Sequence, residues 1–304
     1  MKLVICLVPF ASLALAQTAS IRTVVSDCPR VSGQPLPVVR GGYCIRLDTG
    51  LVYGPTGQFA FAALPQLPGA STVYVHDVAV DPDGGFVVAA GNRSVNGLAL
   101  FDQYGSQKTF IPLKGIFPSN VTVSEDHSIW VLGKHNSVPK AGDYMTVLKY
   151  SSSGQLTGSF LPLSSYPAGA VAVLGKTAIL SGGGVVAVVV ESVSESNTNR
   201  HRELIRLDYS GKVLSRNSLD DVHEQAFGMT ADGNLYRGDN LRSLPVYLFN
   251  PSAQSWQEVV KPTGTTALVG ADGANLVFHV FDGADKMRLS WYAQPGSEQL
   301  ASRN

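Results

Sequence analysis

Residues 230–240 read TADGNLYRGDN, and a similar stretch, DPDGGFVVAAGN, begins at Asp81. Each has an acidic residue followed by Gly, then a short apolar run, then a polar stop. Asp-Gly suits a tight hairpin turn because Gly adopts positive φ readily and Asp hydrogen-bonds the local backbone. We therefore predict that each stretch is a pair of short antiparallel strands, and that the turn of the first is Asp232-Gly233.

The hairpin pattern recurs along the chain in two interleaved series. Further members of the first series are VTVSEDHSIWVLGKHN, VAVLGKTAILSGGG and LVGADGANLVFHVFDG, each predicted to pair two short strands across a turn. The second series also consists of strand, turn and strand, and its turns centre on Gly57, Gly105, Gly154, Gly211, Ala253 and Gly296. The steps between these turns are about 42 to 57 residues. A period of this length indicates repeated supersecondary units.

Two alternating hairpins per period give four strands per period, and six periods span most of the chain. Four-stranded sheets repeated radially are the blades of a β-propeller. We therefore predict an all-β, six-bladed β-propeller of four-stranded antiparallel blades, as a single domain over residues 17–304. Residues 20–48 supply its first inner hairpin, in which IRTVVSDC pairs with GGYCIRLD. Helical repeats are disfavoured because no segment sustains a 3.6-residue apolar period. A pair of β-sandwiches is disfavoured because it would not require an even repeat across the whole chain.

The phrases ADGNLYRGDN followed by VYLFNPSA, and SEDHSIWVLGKHN followed by VLKYSSSGQL, resemble six-bladed propellers of the NHL-repeat type. They are also similar to neighbouring families, the virginiamycin B lyases and the gluconolactonase group. The resemblance covers nearly all of residues 17–304. Its motifs are turn chemistry and strand pattern, so it is specific for fold and weak for function.

The first sixteen residues, MKLVICLVPFASLALA, predict a cleaved signal peptide. They combine a positive charge at Lys2, an apolar run, and small residues at Ala14 and Ala16. A membrane anchor is disfavoured because the run is short for a bilayer and contains Pro9. We therefore expect a secreted or periplasmic protein whose mature chain has no transmembrane segment.

The mature chain keeps two cysteines, Cys28 and Cys44. In an oxidising compartment, two cysteines this close most simply form one disulfide, which we place within the first inner hairpin. Closing a loop of this size contributes about 3 kcal/mol in the chain-entropy model. A pair of buried free thiols is the alternative. A metal site at these two cysteines is disfavoured because no His lies near them in the sequence to complete the coordination.

The charge balance bears on possible partners. Lys plus Arg is 23 and Asp plus Glu is 23, so bulk electrostatic binding to nucleic acid or to anionic membranes is not indicated. We expect a monomer that binds a small molecule or a protein.

The sequence lacks the Gly-x-Ser-x-Gly, His-Glu-x-x-His, phosphate-loop and calcium-loop signatures. The longest insertion, ESVSESNTNRHRELIRL, is predicted to be a flexible surface loop.

Polar side chains concentrate in the loops that enter the first strand, or leave the second strand, of each predicted blade. These loops share one face around the channel, which we call the ligand face, and its candidates are His76, Asp77, Asn120, His135, His223, Glu224, Arg237 and Asp239. A His beside a carboxylate, as in His76-Asp77 and His223-Glu224, is typical of a general base or a metal site. Hydrogen-bonded structural pairs or solvated turns remain the alternative, because loops are polar in any soluble protein.

The resemblance to the gluconolactonase group implies a divalent cation held by a Glu, an Asn and an Asp on inner strands. Glu224, Asn120 and Asp77 have the corresponding residue types, although their surrounding motifs differ. The lyase resemblance would imply a catalytic His and metal-binding carboxylates. We expect an exported binding or interaction scaffold that needs no cofactor to fold. A metal-dependent hydrolase or lyase acting on a small ligand, or a module of a surface assembly, are the alternatives.

Overall fold

The structure is a computed structural model. It describes residues 20–29, 36–69, 72–92, 94–135, 143–167, 170–194, 197–219, 226–238, 245–259, 264–265, 267–280 and 286–293. The predicted signal peptide and the candidates His223, Glu224 and Asp239 lie outside these residues. The described chain is all-β apart from one short 3-10 helix, Leu163–Ser165. None of its helices is long and apolar enough to cross a membrane.

The chain begins with five short strands and then forms four separate four-stranded antiparallel sheets, each from consecutive strands. The first five strands are β1 (Arg22–Pro29), β2 (Val38–Arg40), β3 (Tyr43–Arg46), β4 (Leu51–Tyr53) and β5 (Phe59–Ala62). The first separate sheet holds β6 (Tyr74–Val80), β7 (Phe86–Gly91), β8 (Asn96–Phe101) and β9 (Gln107–Pro112). The next holds β10 (Ile116–Val123), β11 (Ile129–His135), β12 (Tyr144–Tyr150) and β13 (Leu156–Phe160).

The remaining strands complete the pattern. One sheet holds β14 (Ala170–Gly182), β15 (Val185–Ser194), β16 (Asn197–Asp208) and β17 (Val213–Ser218). Another holds β18 (Ala226–Met229), β19 (Leu235–Gly238), β20 (Val246–Asn250) and β21 (Ser255–Val259). The last strands are β22 (Ala267–Asp272), β23 (Asn275–Val280) and β24 (Lys286–Ala293).

The first strands of successive sheets contact one another and surround a common axis. β6 contacts β10, β10 contacts β14, β14 contacts β18, and β18 contacts β22. A short parallel pairing of β22 with β2 then returns the series to its start. Sheets arranged radially around an axis define a β-propeller, so the predicted all-β propeller class is confirmed.

The two ends of the chain share one eight-stranded sheet, ordered β1-β24-β23-β22-β2-β3-β4-β5. The predicted pairing of IRTVVSDC with GGYCIRLD is therefore wrong. The first segment, β1, instead pairs antiparallel with β24, with Arg22 opposite Trp291. β24 carries buried apolar residues such as Leu289, and β1 supplies the outer neighbour that protects them. The second half of the hairpin predicted around Gly296 lies outside the described residues.

The predicted disulfide between Cys28 and Cys44 is confirmed, with 6.4 Å between the two Cα atoms. Its place in the fold differs from the prediction because its cysteines lie on β1 and β3, which do not pair with each other. The bond therefore joins the two halves of the eight-stranded sheet. It links the ends of the ring and does not close a loop within one hairpin.

Gly270 allows the two halves of that sheet to meet. It lies on β22 opposite Val39 of β2, with φ at +151°. A Cβ atom at Gly270 would collide with the carbonyl oxygen of Val39. A larger residue would therefore force β2 away from β22 and break the parallel pairing.

One of the predicted inner hairpins has a different turn. The stretch VAVLGKTAILSGGG does not fold back on itself, because residues 170–182 form the single strand β14. β14 pairs with β15 across a turn at Gly183 and Gly184, both with positive φ. The glycines adopt this turn conformation readily, and the β-branched run of β15 favours a long strand.

Apolar side chains fill the space between neighbouring sheets. Ala89 and Leu98 of one sheet pack with Val121 and Val131 of the next, and all four are fully buried. A corresponding cluster, which includes Val39 and the strands β1 and β24, lies between the two halves of the eight-stranded sheet. Each fully buried Val or Leu stabilises the fold by about 1.5 to 3 kcal/mol.

Candidate functional site

A buried ion pair lies at the axis of the propeller. Arg40 ends β2, and Asp77 lies in β6 with its side chain fully buried. The guanidinium Nη1 is 2.9 Å from Asp77 Oδ1, and Nη2 is 3.1 Å from Oδ2. This two-point contact matches the planar fork of Arg to the two carboxylate oxygens. The sequence did not single out Arg40, which ends a three-residue strand before a Gly-Gly turn.

The ion pair also binds the backbone of two neighbouring inner strands. Arg40 Nη1 donates to the carbonyl oxygens of Val78 (2.5 Å) and Val121 (3.2 Å). Asp77 accepts from the backbone N–H groups of the same two residues, each at 3.0 Å. The pair therefore connects β2, β6 and β10 across the axis.

The structure brings the predicted residues Asp77 and Asn120 together. Asn120 Nδ2 lies 3.4 Å from Asp77 Oδ2, and it faces the carboxylate through its amide nitrogen. Its Oδ1 accepts from Thr177 Oγ1 at 2.6 Å and from Ser119 Oγ at 3.0 Å. Polar side chains from four inner strands thus form one continuous network at the axis.

This network bears on the predicted cation site at Asp77, Asn120 and Glu224. Both oxygens of Asp77 already accept hydrogen bonds from Arg40 and from backbone N–H groups. The amide oxygen of Asn120 is directed to hydroxyl groups and not to the carboxylate. A cation at Asp77 would have to displace a guanidinium that neutralises the same charge. The described residues therefore do not fit a cation at this position while Arg40 binds Asp77.

His76 and His135 lie at the strand ends that form the ligand face. The His76 ring packs against Phe117 with centroids 4.4 Å apart, and burial lowers the pKa of its imidazole, opposed by the charge of Asp77. The His135 ring stacks on Tyr144 at 5.0 Å. In the described residues, His76 Nε2 and His135 Nδ1 are buried and have no hydrogen-bond partner. The two histidines combine an aromatic contact with unused hydrogen-bonding capacity.

The predicted ligand-face residue Arg237 lies within β19. Its guanidinium carbon is 4.8 Å from the ring centroid of Tyr247 and 4.6 Å from that of Trp256. Tyr247 lies on the adjacent strand β20, and Trp256 lies on β21, one strand further out in the same sheet. Much of the side chain is therefore used in packing across the sheet, which the sequence pattern did not indicate.

A cavity of about 270 Å³ lies off the axis, beside the 3-10 helix. Its lining residues come from that helix region and from three strands of one sheet, and they are Ser165, Tyr166, Pro167, Val190, Ser192, His201, Glu203 and Arg216. Several belong to the insertion predicted to be a flexible loop. That prediction is wrong, because β15 and β16 extend the hairpin through most of it.

The wall of the cavity contains an ion pair and a tyrosine. Arg216 Nη1 is 2.9 Å from Glu203 Oε2, and its guanidinium carbon is 5.9 Å from the ring centroid of Tyr166. The Tyr166 hydroxyl is buried without a hydrogen-bond partner among the described residues, and burial raises its pKa. These residues were missed because no local sequence pattern indicates that the β13–β14 connection lies next to β17.

A third group of polar side chains lies at the opposite ends of the strands. Asp81 and Asp83 belong to the β6–β7 turn, and His127 belongs to the β10–β11 turn. Their side chains each offer one ligand atom, and these atoms all lie within 4.8 Å of one another, so the group could hold a metal ion. In the sequence, Asp81 and Asp83 have the pattern of turn residues, and nothing local pairs them with His127.

No protein-family model matches the sequence, and no curated protein matches it. Among solved structures, the chain is similar to one from an analysis of two prolyl endopeptidases (14% identity, TM-score 0.48), with 84% of this chain spanning 40% of that one. It is also similar to a gluconolactonase from Xanthomonas campestris (13% identity, TM-score 0.46, 90% of this chain and 98% of that one). A third is the β-propeller domain of the trilobed protease from Pyrococcus furiosus (11%, 0.43, 91% and 96%). Similarities at this level carry no argument about activity.

Proposed function

We propose that the protein is an exported six-bladed β-propeller of the NHL-repeat type, acting as a monomeric binding or interaction scaffold. The two halves of the eight-stranded sheet then count as two blades, with β1 as the outer strand of the last. A separate hydrophobic cluster between these halves supports this count, because the other sheets pack in the same way. The Cys28–Cys44 disulfide supports export, since disulfides persist in oxidising compartments.

The cavity beside Tyr166 is the observation that carries the binding role. It lies where the connection into β14 meets the β15–β16 hairpin, at the ligand face. Its volume is near the lower end of small-molecule sites, which run from about 300 to 1,000 Å³. Arg216 and Glu203 offer donors and acceptors, while Val190 and Pro167 offer apolar contact. The axial network in turn supports a structural role for Asp77.

A metabolite screen by ligand-observed NMR tests this proposal, using the mature chain and the variant Arg216→Gln. We expect at least one small polar ligand whose affinity falls about tenfold in the variant, since a hydrogen bond to a charged group contributes about 1.5 to 3 kcal/mol. Lys108→Gln is the matched control because it breaks an exposed ion pair with Asp102 on an outer turn. A ligand that binds both variants as well as the wild type would place its site elsewhere.

The alternative is a metal-dependent hydrolase or lyase that uses Asp77, Asn120 and Glu224, with His76 or His223 as a general base. The proximity of Asp77 and Asn120 supports it, and the bond from Arg40 to Asp77 opposes it. Ester and lactone hydrolysis, measured with and without a chelator, tests it in the wild type and in Asn120→Ala. Chelator-sensitive turnover that Asn120→Ala abolishes would favour the enzyme over the scaffold.

A further inference from the structure

The face opposite the ligand face carries a second candidate site, formed by turns and not by strands. We propose that Asp81, Asp83 and His127 bind a divalent first-row transition-metal ion, of which Zn²⁺ is the representative. This site is separate from the axial network and from the cavity at Tyr166. It therefore does not depend on the proposed scaffold function.

The distances between the ligand atoms suit one small cation. His127 Nδ1 lies 3.1 Å from Asp81 Oδ1 and 3.7 Å from Asp83 Oδ2. Ligands about 2.1 Å from a tetrahedral Zn²⁺ are roughly 3.4 Å apart, which is between these two values. The atoms come from two turns of adjacent sheets, so the strands beneath fix their separation before an ion binds.

The charge of the group is not balanced by protein cations. Asp81 and Asp83 have no Lys or Arg ion-pair partner within the part of the chain that the structure describes. The nearby Asp126 differs, because Lys149 Nζ lies 3.6 Å from its Oδ2. A protonated His127 would offset only one of the two carboxylates. The remaining negative charge favours a bound cation.

The types of ligand atom indicate which cation the site would bind. Imidazole nitrogen together with carboxylate oxygen suits Zn²⁺ and its neighbours in the first transition row. Ca²⁺ takes six to eight oxygen ligands, and two carboxylates with one imidazole supply too few. Three protein ligands would leave a coordination position for water, as in open zinc sites.

A purely structural role explains only part of the group. Neighbouring inner turns are linked elsewhere by single hydrogen bonds, such as Gly183 N–H to Glu125 Oε1 at 2.9 Å. The contact between Asp81 and His127 serves as such a link between the β6–β7 and β10–β11 turns. Asp83 is not needed for it, since its side chain is 84% exposed and still lies within 3.7 Å of the imidazole. The second carboxylate is what a cation site requires.

Calorimetric titration of the chelator-treated mature protein with ZnCl₂, and separately with CaCl₂, tests the proposal. We expect one Zn²⁺ per chain to bind with an affinity that falls about tenfold or more in His127→Gly and in Asp83→Asn. His127→Gly is expected to fold, because Gly84 and Gly233 take the corresponding position in other inner turns with positive φ. Saturating Zn²⁺ should also shift the NMR signals of the His127 ring.

Glu258→Gln is the matched control for charge, since it removes one exposed carboxylate on β21, which belongs to a different sheet from these two turns. We expect it to bind Zn²⁺ as the wild type does. Equal Zn²⁺ affinity in His127→Gly and wild type, or unchanged His127 signals at saturation, would overturn the site. Binding of Ca²⁺ that depends on His127 and equals that of Zn²⁺ would overturn the choice of ion.

Discussion

Asp77 and Asp81 lie four residues apart on one hairpin, yet their surroundings are opposite. Asp77 is fully buried, is paired with Arg40, and accepts two backbone N–H groups. Asp81 is partly exposed, and its Oδ1 accepts the backbone N–H of Asp83 and lies 3.1 Å from the imidazole nitrogen of His127. The comparison shows that acidic residues near the inner strands do not share one role. The buried carboxylate is compensated and structural, whereas the turn carboxylates keep charge available for a ligand.

The largest expected effect comes from removing the charge that compensates Asp77. Arg40→Leu keeps apolar bulk but leaves a buried carboxylate without its cation, so we expect the free energy of unfolding to fall by about 3 to 5 kcal/mol. Equilibrium unfolding in urea measures it. Arg40→Leu combined with Asp77→Asn should recover part of the loss, because the amide carries no charge. Asp81→Asn is the control, and an equal loss there would remove the contrast between the two carboxylates.

The second prediction concerns the hairpin that carries Arg40. Cys44 lies opposite Val39 on this hairpin, and its disulfide to Cys28 fixes the hairpin to β1. Cys28→Ser should lower the free energy of unfolding by about 3 kcal/mol under oxidising conditions. Reduced wild-type protein should unfold at the same denaturant concentration as the reduced variant. Unchanged stability of the oxidised variant would show that the disulfide does not support this part of the ring.

Local signals explain which parts of the fold the sequence could predict. Turn residues such as Asp232-Gly233, with apolar runs on either side, indicate hairpins because all the information is within a dozen residues. Ring closure is different, because it joins strands separated by most of the chain, as in the hydrogen bond between the hydroxyl groups of Thr23 and Ser290. No local sequence signal shows whether β1 pairs with β24 or with β3.

The candidate sites divide in the same way. The repeat register placed Asp77 and Asn120 on adjacent inner strands, and the structure brings them together. It could not identify Arg40, whose role depends on β2 reaching β6 and β10 across the axis. The pairing of Asp81 with His127 was also out of reach, because it requires knowing that two turns 46 residues apart lie side by side.

A pH titration compares the histidines nearest the two carboxylates. The hydrogen bond and charge of Asp81 raise the pKa of His127 above 6.5, whereas burial lowers the pKa of His76 below 6.5. The His127 contribution to stability is therefore present below pH 6.5 and is lost as pH rises through its raised pKa. The His76 contribution is present above pH 6.5 and is lost as pH falls through its lowered pKa.

NMR titration of the ring signals in chelator-treated protein measures both values. Asp81→Asn should return the pKa of His127 toward 6.5 and leave that of His76 unchanged. If His76 titrates at a higher pH than His127, burial does not dominate at the axis and the comparison of the two environments fails.

The smallest expected effect is on the stability of the metal-free turn itself. His127 has φ at +59°, in the left-handed region that a Cβ atom disfavours, while Gly84 and Gly233 take the equivalent position at +90° and +85°. His127→Gly should therefore unfold at the same denaturant concentration as the wild type or slightly higher, since backbone relief offsets the loss of an exposed ion pair. His127→Ala loses the same imidazole but keeps the Cβ atom, so it should be less stable than the Gly variant. If His127→Ala is as stable as His127→Gly or more stable, the backbone at this turn is not strained by the Cβ atom.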